Sequence, residues 1–171
     1  SLAFDPTSHT LFYTTDNNDW RSLYSVDIKS GDEKLLLKEE RVGDLVFNQA
    51  DKSLWGIRHF NGQSTLIRMP HPYSEWNQIF TWPFGQDMYN IDISRDGKNI
   101  TGALAEINGQ QLLIRMNVDS IKTGNISFDT LFNFENTIPA NFVFSDNGKY
   151  LYGTSYYSGV SNIYRYDFDK K

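Results

Sequence analysis

Three arginines each follow a glycine by six residues, and this recurrent pair is the sharpest polar signal in the sequence. The pairs are Gly62 with Arg68, Gly109 with Arg115, and Gly159 with Arg165. Arginine is always charged and binds carboxylates in a bidentate manner, so one hypothesis is a set of arginines that reaches an anionic ligand. The alternative is that each arginine pairs with a carboxylate or carbonyl between structural repeats. Repetition in successive units is typical of structural positions and favours the second interpretation.

The candidate metal site is a cluster of oxygen-bearing side chains, Asp16, Asn18 and Asp19. These ligands suit Ca²⁺ if backbone carbonyls complete a shell of about 6–8 oxygens. The cluster lacks the glycine and the distal glutamate of an EF-hand loop, and Asx-rich loops usually bond to their own backbone. We therefore predict no bound cofactor and keep Ca²⁺ at this loop as the weaker alternative.

Nothing in the sequence predicts a catalytic residue. The three histidines, His9, His59 and His71, fall in different structural positions, and none has the spacing that places two imidazoles on one metal. Ser155 follows Gly153 and Thr154 as in a nucleophile elbow, but the second glycine is missing and a further strand, not a helix, is predicted to follow.

Composition defines the class of protein that must position these side chains. The chain has 171 residues, of which 15% are aromatic, and no cysteine, which excludes disulfides and thiolate chemistry. A net charge of −5 excludes a large basic interface for nucleic acid. No apolar run approaches the ~20 residues of a membrane helix, so this segment is not expected to insert into a membrane. Many aromatic, β-branched and turn residues predict an all-β chain.

A repeat decides the predicted architecture. Four apolar anchor residues are each followed nine positions later by a glycine or a tyrosine: Phe4 and Tyr13, Phe47 and Gly56, Ile93 and Gly102, Phe144 and Gly153. Successive anchors are separated by intervals close to the ~40–50 residues of a four-stranded propeller blade. We predict a β-propeller of four-stranded antiparallel blades in units 1–42, 43–85, 86–136 and 137–171. The last unit ends at its third strand, so about three and three-quarter blades are present.

The strands within a unit follow from the same alignment. Strand a carries the anchor, strand b the glycine or tyrosine and strand c the arginine, while strand d is predicted at Leu35–Leu37, Ile79–Trp82 and Leu131–Phe134. Two-residue hairpin turns with positive φ are predicted at Asn61-Gly62, Asp96-Gly97, Asn108-Gly109 and Asn147-Gly148. A c–d turn is predicted at Thr123-Gly124. Most aromatic side chains should fill the wedge between twisted blades, and an exposed subset would suit a peptide or sugar.

Two hairpin segments resemble the WD40-like (PD40) repeats of TolB-type β-propellers. The segments beginning at Ser94 and Ser145 are similar to the S-x-D-G-K-x-[IL] hairpin of these repeats, and those beginning at Leu23 and Ile163 are similar to their I-Y-x-x-D segment. The first two units lack the hairpin glycine and match by spacing alone. The resemblance spans essentially the whole chain and implies a partial propeller.

The resemblance implies a non-catalytic scaffold that binds a protein or peptide, within a larger bacterial envelope protein and outside the cytoplasm. The alternative is the gating propeller of a prolyl-oligopeptidase-like serine peptidase whose catalytic domain lies outside these residues. An enzyme with its site in the propeller funnel would need clustered histidines and carboxylates, which the sequence does not offer. Unless four blades close into a ring, bare blade faces also predict self-association, or a partner that supplies the missing strand d.

Overall fold

Residues 1–15 and 21–170 are described by the structure, a computed structural model. Four separate antiparallel sheets are formed, and the chain divides into two compact units, Ser1–Thr81 and Trp82–Lys171. Each unit holds two sheets, which are the predicted blades. Among the described residues, no helix has the length and apolar character needed to cross a membrane.

The first unit contains two four-stranded blades. The first blade comprises β1 (Leu2–Asp5), β2 (Thr10–Thr14), β3 (Leu23–Asp27) and β4 (Glu33–Leu37). The second comprises β5 (Val42–Asn48), β6 (Ser53–Phe60), β7 (Gln63–Met69) and β8 (Asn77–Thr81). Buried side chains of both blades form one core, in which the ring of Phe12 stacks on that of Phe47 with centroids 5.9 Å apart.

The second unit contains a four-stranded and a three-stranded blade. The third blade comprises β9 (Asp87–Ile93), β10 (Asn99–Ala105), β11 (Gln111–Asn117), the helix α1 (Val118–Lys122) and β12 (Asp129–Asn133). The fourth comprises β13 (Ala140–Phe144), β14 (Tyr150–Ser155) and β15 (Asn162–Asp167). Their shared core includes Phe134 and Phe142, whose ring centroids are 5.5 Å apart. Both units therefore place aromatic rings between neighbouring blades, as predicted.

The predicted register is confirmed in all four blades. Each anchor pairs with the residue seven positions later in strand b: Phe4 with Leu11, Phe47 with Leu54, Ile93 with Ile100 and Phe144 with Leu151. Over residues 1–15 and 21–170 the fold is therefore all-β, with three four-stranded blades and a fourth in which strands a to c are formed.

Several local predictions differ from the structure. All three strands d begin two residues earlier than predicted, and β8 and β12 also end one residue earlier, so Trp82 and Phe134 follow those strands. The c–d connection of the third blade contains α1, because the side chain of Asn117 accepts a hydrogen bond from the Ser120 N–H at the helix start and Val118 and Ile121 are buried.

Only one of the four predicted Asx-Gly turns has positive φ at both residues, namely Asn61-Gly62 with φ of 49° and 74°. In the other three, only the glycine has positive φ. Gly97 illustrates the reason: its N–H donates to the Ser94 carbonyl at 2.8 Å, which closes a four-residue turn and leaves the glycine alone in the left-handed region.

A polar side chain directly after each anchor stabilises the a–b turn. In the first two blades, the side-chain oxygens of Asp5 and Asn48 accept from the N–H two residues on, both at 2.9 Å. In the last two, the hydroxyls of Ser94 and Ser145 accept from the N–H five residues on, at 2.9 and 3.0 Å. The first two units therefore keep a capping interaction although they lack the turn glycine.

Strand a carries a bulge at the same place in three blades. Asp44, Asn90 and Asn141 each lie three residues before their anchor with φ near +50°, at the point where the pairing with strand b shifts. Asn and Asp tolerate this conformation better than other non-glycine residues. The bulge brings a strand-a side chain across the strand-b glycine: a Cβ at Gly153 would lie 2.4 Å from the Phe142 ring.

We expect Gly153→Ala to destabilise the chain by about 1–3 kcal/mol, because the added methyl overlaps a buried ring that has little room to move. Urea unfolding followed by tryptophan fluorescence measures the change. The matched control is Thr154→Ala, one residue along β14 with an exposed side chain, which should change stability by less than about 0.5 kcal/mol. Equal effects of the two substitutions would contradict the close packing at Gly153.

Candidate functional site

The three arginines occupy one register position in strand c. Arg68, Arg115 and Arg165 lie opposite Trp55, Thr101 and Tyr152, the residues that precede the strand-b glycines. Ser25 holds this position in the first blade, opposite Phe12. The repeat therefore places the arginines equivalently within their own sheets.

The contacts of the three guanidinium groups differ. Arg68 donates to Asp51 at 3.1 Å and Arg115 to Asp129 at 2.7 Å, so both ion pairs lie within one blade. Arg115 also contacts the neighbouring blade, with its Cζ 5.1 Å from the Phe168 ring centroid. Arg165 lies 5.0 Å from the ring centroid of Tyr150. Only Arg115 combines an acid partner with a contact to the next blade among the described residues.

Arg115 lines a polar cleft between the third and fourth blades of the second unit, with a volume of about 280 Å³. Two equivalent a–b turns form its rim, one at Ser94, Asp96 and Asn99 and the other at Asp146, Asn147 and Gly148. Phe144 and Phe168 line it as well, and their rings stack with centroids 6.1 Å apart. The cleft thus combines a guanidinium, carboxylates, side-chain amides and an aromatic wall.

Hydrogen bonds fix the charges at the rim. The hydroxyl of Ser94 donates to Asp96 at 2.6 Å, and this bond outweighs partial burial to hold the pKa of Asp96 below its ordinary value. Arg95 and Asp146 form an exposed ion pair from one turn to the other at 3.5 Å. The Asp96 carboxylate is therefore ionised at neutral pH and can accept hydrogen bonds from a ligand.

A half-buried carboxylate supports the wall of the cleft. Asp92 accepts a hydrogen bond from the backbone N–H of Phe144 at 2.7 Å, which ties the strand a of the fourth blade to that of the third. Burial raises the pKa of Asp92, and hydrogen bonds from the N–H groups of Phe144 and Ile93 offset the rise in part. No motif that recurs around the anchor residues identifies Asp92 from the sequence.

Asp16, Asn18 and Asp19 lie outside the described residues, so calcium binding there stays a prediction. Within the described residues, no group of three His, Asp or Glu side chains could hold a metal ion. Ser155 is buried in β14, where its hydroxyl accepts from the Tyr157 N–H at 3.2 Å.

Sequence reasoning missed most of the cleft. The hairpin motif contains Asp96, Asp146 and Asn147 without predicting that they line a site, and Phe144 is predicted only as an anchor. Aligning the two hairpins identifies the equivalent turn residues, but it does not show that the turns of successive blades form one rim. That proximity depends on how the two blades pack.

Comparison with solved structures defines the class of protein: the sheets are blades of a β-propeller. No protein-family model and no curated protein matches the sequence. TolB from Acinetobacter baumannii superposes with a TM-score of 0.80 at 19% identity, over 99% of this chain and 41% of the TolB chain. The chain thus spans less than half of the TolB it matches.

Two further structures share the fold. Prolyl oligopeptidase B from Galerina marginata, bound to a 35mer substrate, matches with a TM-score of 0.69 at 14% identity, over 100% of this chain and 27% of that one. A chain of the nidogen/laminin complex matches with a TM-score of 0.69 at 11% identity, over 96% and 58%. At these identities the likeness shows the fold alone, which is a β-propeller.

We expect Asp92→Asn and Asp92→Ala to separate the effect of ionising the Asp92 carboxyl from the effect of its hydrogen bond with the Phe144 N–H. Because its folded-state pKa is raised, the favourable contribution of Asp92 is fully present below its unfolded pKa of 3.8 and is lost as the pH rises through the folded value. Asn keeps an acceptor and does not ionise, so the stability of Asp92→Asn relative to wild type should rise as the pH increases from below 3.8 through the folded-state pKa of Asp92.

Asp92→Ala leaves the Phe144 N–H without that acceptor and should cost about 1–3 kcal/mol. Urea unfolding at several pH values measures both variants. Identical curves for the Asn and Ala variants would contradict the hydrogen bond to Phe144, and a pH-independent difference between wild type and Asn would contradict the raised pKa.

Proposed function

We propose that this chain is a non-catalytic propeller segment that recognises a polypeptide ligand at the cleft of its second unit. The observation that carries the proposal is the composition of that cleft. A peptide backbone offers both N–H donors and carbonyl acceptors, and the cleft presents charged and amide partners of both kinds beside an aromatic wall. A rigid scaffold with contacting groups in its turns is a common arrangement for recognition.

The likeness to TolB supports a scaffold within a larger bacterial envelope protein, located in the periplasm or elsewhere outside the cytoplasm. The nidogen/laminin structure is that of a protein complex, which adds support for a protein-binding use of this fold. Self-association through exposed blade faces stays a prediction.

The test is selection of a displayed library of random ~12-residue peptides on the purified chain, followed by titration of the recovered peptides. We expect Arg115→Gln to weaken their binding about tenfold or more, because a hydrogen bond to a charged group is worth about 1.5–3 kcal/mol. The matched control is Arg165→Gln, which changes the same register position in the next blade but lies outside the polar cleft.

Calorimetry measures the affinities, and circular dichroism checks that both variants stay folded. Failure to recover any peptide, or equal affinity of the wild type and Arg115→Gln, would contradict recognition at the cleft. Peptides that respond to Arg165→Gln alone would place binding elsewhere in the second unit.

A second candidate function is the gating propeller of a prolyl-oligopeptidase-like peptidase, which the match to prolyl oligopeptidase B favours. Under the scaffold proposal, the protein isolated from its native cells should neither react with a fluorophosphonate probe nor cleave a chromogenic prolyl peptide. Reaction with the probe together with cleavage would establish the peptidase function instead.

A further inference from the structure

In the second unit, the ends of the blades away from the polar cleft carry exposed apolar side chains. The cleft is built from a–b turns, and each strand b runs from such a turn to a b–c turn, so the b–c turns and the d–a connections lie at the other end. Three loops there form the surface that we call the loop face: 82–86, 106–110 and 134–139. Phe84, Ile107 and Ile138 lie in these loops with 66%, 74% and 57% of their surface exposed.

Hydrogen bonds join the three loops into one surface. The side-chain amide of Gln86 donates to the carboxylate of Glu106 at 2.8 Å, which connects the first loop to the b–c hairpin of the third blade. The backbone N–H of Gln111, directly after that hairpin, donates to the carbonyl of Glu135 at 2.7 Å. The hairpin therefore lies between the two d–a connections and is tied to both.

The apolar side chains are held at the tips of closed turns. The four-residue turns 83–86 and 106–109 are each closed by a hydrogen bond from the last N–H to the first carbonyl, at 3.1 and 2.9 Å. Phe84 and Ile107 are the second residues of these turns, and a Cβ on Gly85 would lie 2.8 Å from the Ile107 side chain, so the two tips adjoin. Because the backbone is already fixed, a partner can contact these side chains at a small cost in conformational entropy.

The loop face carries acidic side chains and no basic one. Glu106 and Glu135 lie in two of its loops, and Asp87 begins β9 directly after the third. None of the three loops contains lysine, arginine or histidine. In the described part of this unit, lysine and arginine lie in the a–b turns, in strands c, in α1 and after β15. The connection between β4 and β5 of the first unit contains Lys38 and Arg41, so an acidic loop face is not a general property of the repeat.

An exposed apolar patch marks an interaction surface, and its charge selects the partner. Carboxylates repel the phosphates of nucleic acids and anionic lipids and attract lysine and arginine. We propose that the loop face docks a segment of a partner protein in which lysine or arginine lies next to an aliphatic or aromatic residue. The apolar side chain packs against Phe84 and Ile107, and the cation pairs with Glu106 or Glu135. Docking at this surface is separate from the peptide recognition proposed for the cleft.

The probe is a short fluorescein-labelled peptide in which lysine alternates with leucine or phenylalanine. Fluorescence anisotropy with the purified chain should show saturable binding. One control peptide carries glutamate in place of every lysine, and another carries serine in place of every leucine and phenylalanine. Each control should bind about tenfold more weakly or worse, because it lacks either the charge complementarity or the apolar contact.

A substitution at the tip of the hairpin tests the apolar contact. Ile107→Ser should weaken binding of the lysine peptide about tenfold or more, because the apolar area that the peptide buries is lost. The matched control is Ile28→Ser, which removes another exposed isoleucine, next to β3 in the first blade. It should bind within about twofold of wild type, and circular dichroism checks that both variants stay folded.

A pair of substitutions tests the charge. Glu106→Gln combined with Glu135→Gln should weaken binding about threefold or more at low salt and reduce its dependence on the NaCl concentration, since exposed ion pairs are weak and screened by salt. The matched control combines Glu39→Gln with Glu75→Gln, two exposed glutamates of the first unit, and makes the same change in net charge. The control should change neither the affinity nor its salt dependence.

Several outcomes would overturn the proposal. They are absence of saturable binding by wild type, equal affinity for the lysine and glutamate peptides, and equal binding by Ile107→Ser and Ile28→Ser. Arg115→Gln should leave this binding unchanged, and Ile107→Ser should leave unchanged the binding of peptides selected at the cleft. Failure at one surface is therefore distinguishable from failure at the other.

Three further measurements exclude other occupants of the loop face. Light scattering should show no oligomer that Ile107→Ser dissociates, and phosphatidylcholine vesicles should not sediment the chain in a manner that Ile107→Ser abolishes. Either result would assign the surface to a second copy or to a membrane and would overturn the proposal. The peptide titration is repeated on the protein isolated from its native cells. Binding there supports a docking surface for a partner, and its absence would mean that the surface is already covered and would overturn it.

Discussion

The close approach of strand a to strand b is the constraint on which the blades depend. A bulge with an Asp or Asn in the left-handed region turns strand a, and a glycine in strand b leaves room for the side chain that results. The strand-a side chains that would lie nearest to an added Cβ are Val42 at Gly56, Met88 at Gly102 and Phe142 at Gly153. A side chain on any of these glycines would collide with the buried strand-a side chains that pack between neighbouring blades. The close approach of strands a and b therefore determines both the packing of the core and the pairing within the sheet.

The a–b turns connect this packing to recognition. The residue after each anchor caps its turn through a side-chain oxygen, so each turn keeps a defined shape without burial of its tip. In the second unit, two such turns form the rim of the polar cleft. The hydrogen bonds that close these two hairpins therefore also orient the polar groups that the turns present to a ligand.

The strand-c arginines show how one repeated position acquires different surroundings. Arg68 is enclosed by its own blade, Arg115 has an acid on its own strand pair and an aromatic ring from the next blade, and Arg165 has a tyrosine but no acid among the described residues. The acid partner of Arg115 is Asp129, which belongs to strand d of the same blade. The repeat fixes where each arginine lies in its sheet, and the residues of the adjacent strand determine which groups its side chain contacts.

Sequence by itself determined the all-β class, the blade repeat and the register of strands a to c. The anchor, the glycine and the arginine recur at fixed intervals, because side chains alternate between the two faces of a strand and equivalent positions must face the same way in each blade. It misplaced the ends of strand d and missed α1, because apolar runs mark burial and not where pairing or a helix cap begins. Tertiary structure alone decided that the hairpins at Ser94 and Ser145 form one cleft, that Asp92 supports it and that Phe168 covers Arg115. These contacts join residues about fifty positions apart, and only the packing of one blade on the next brings them together.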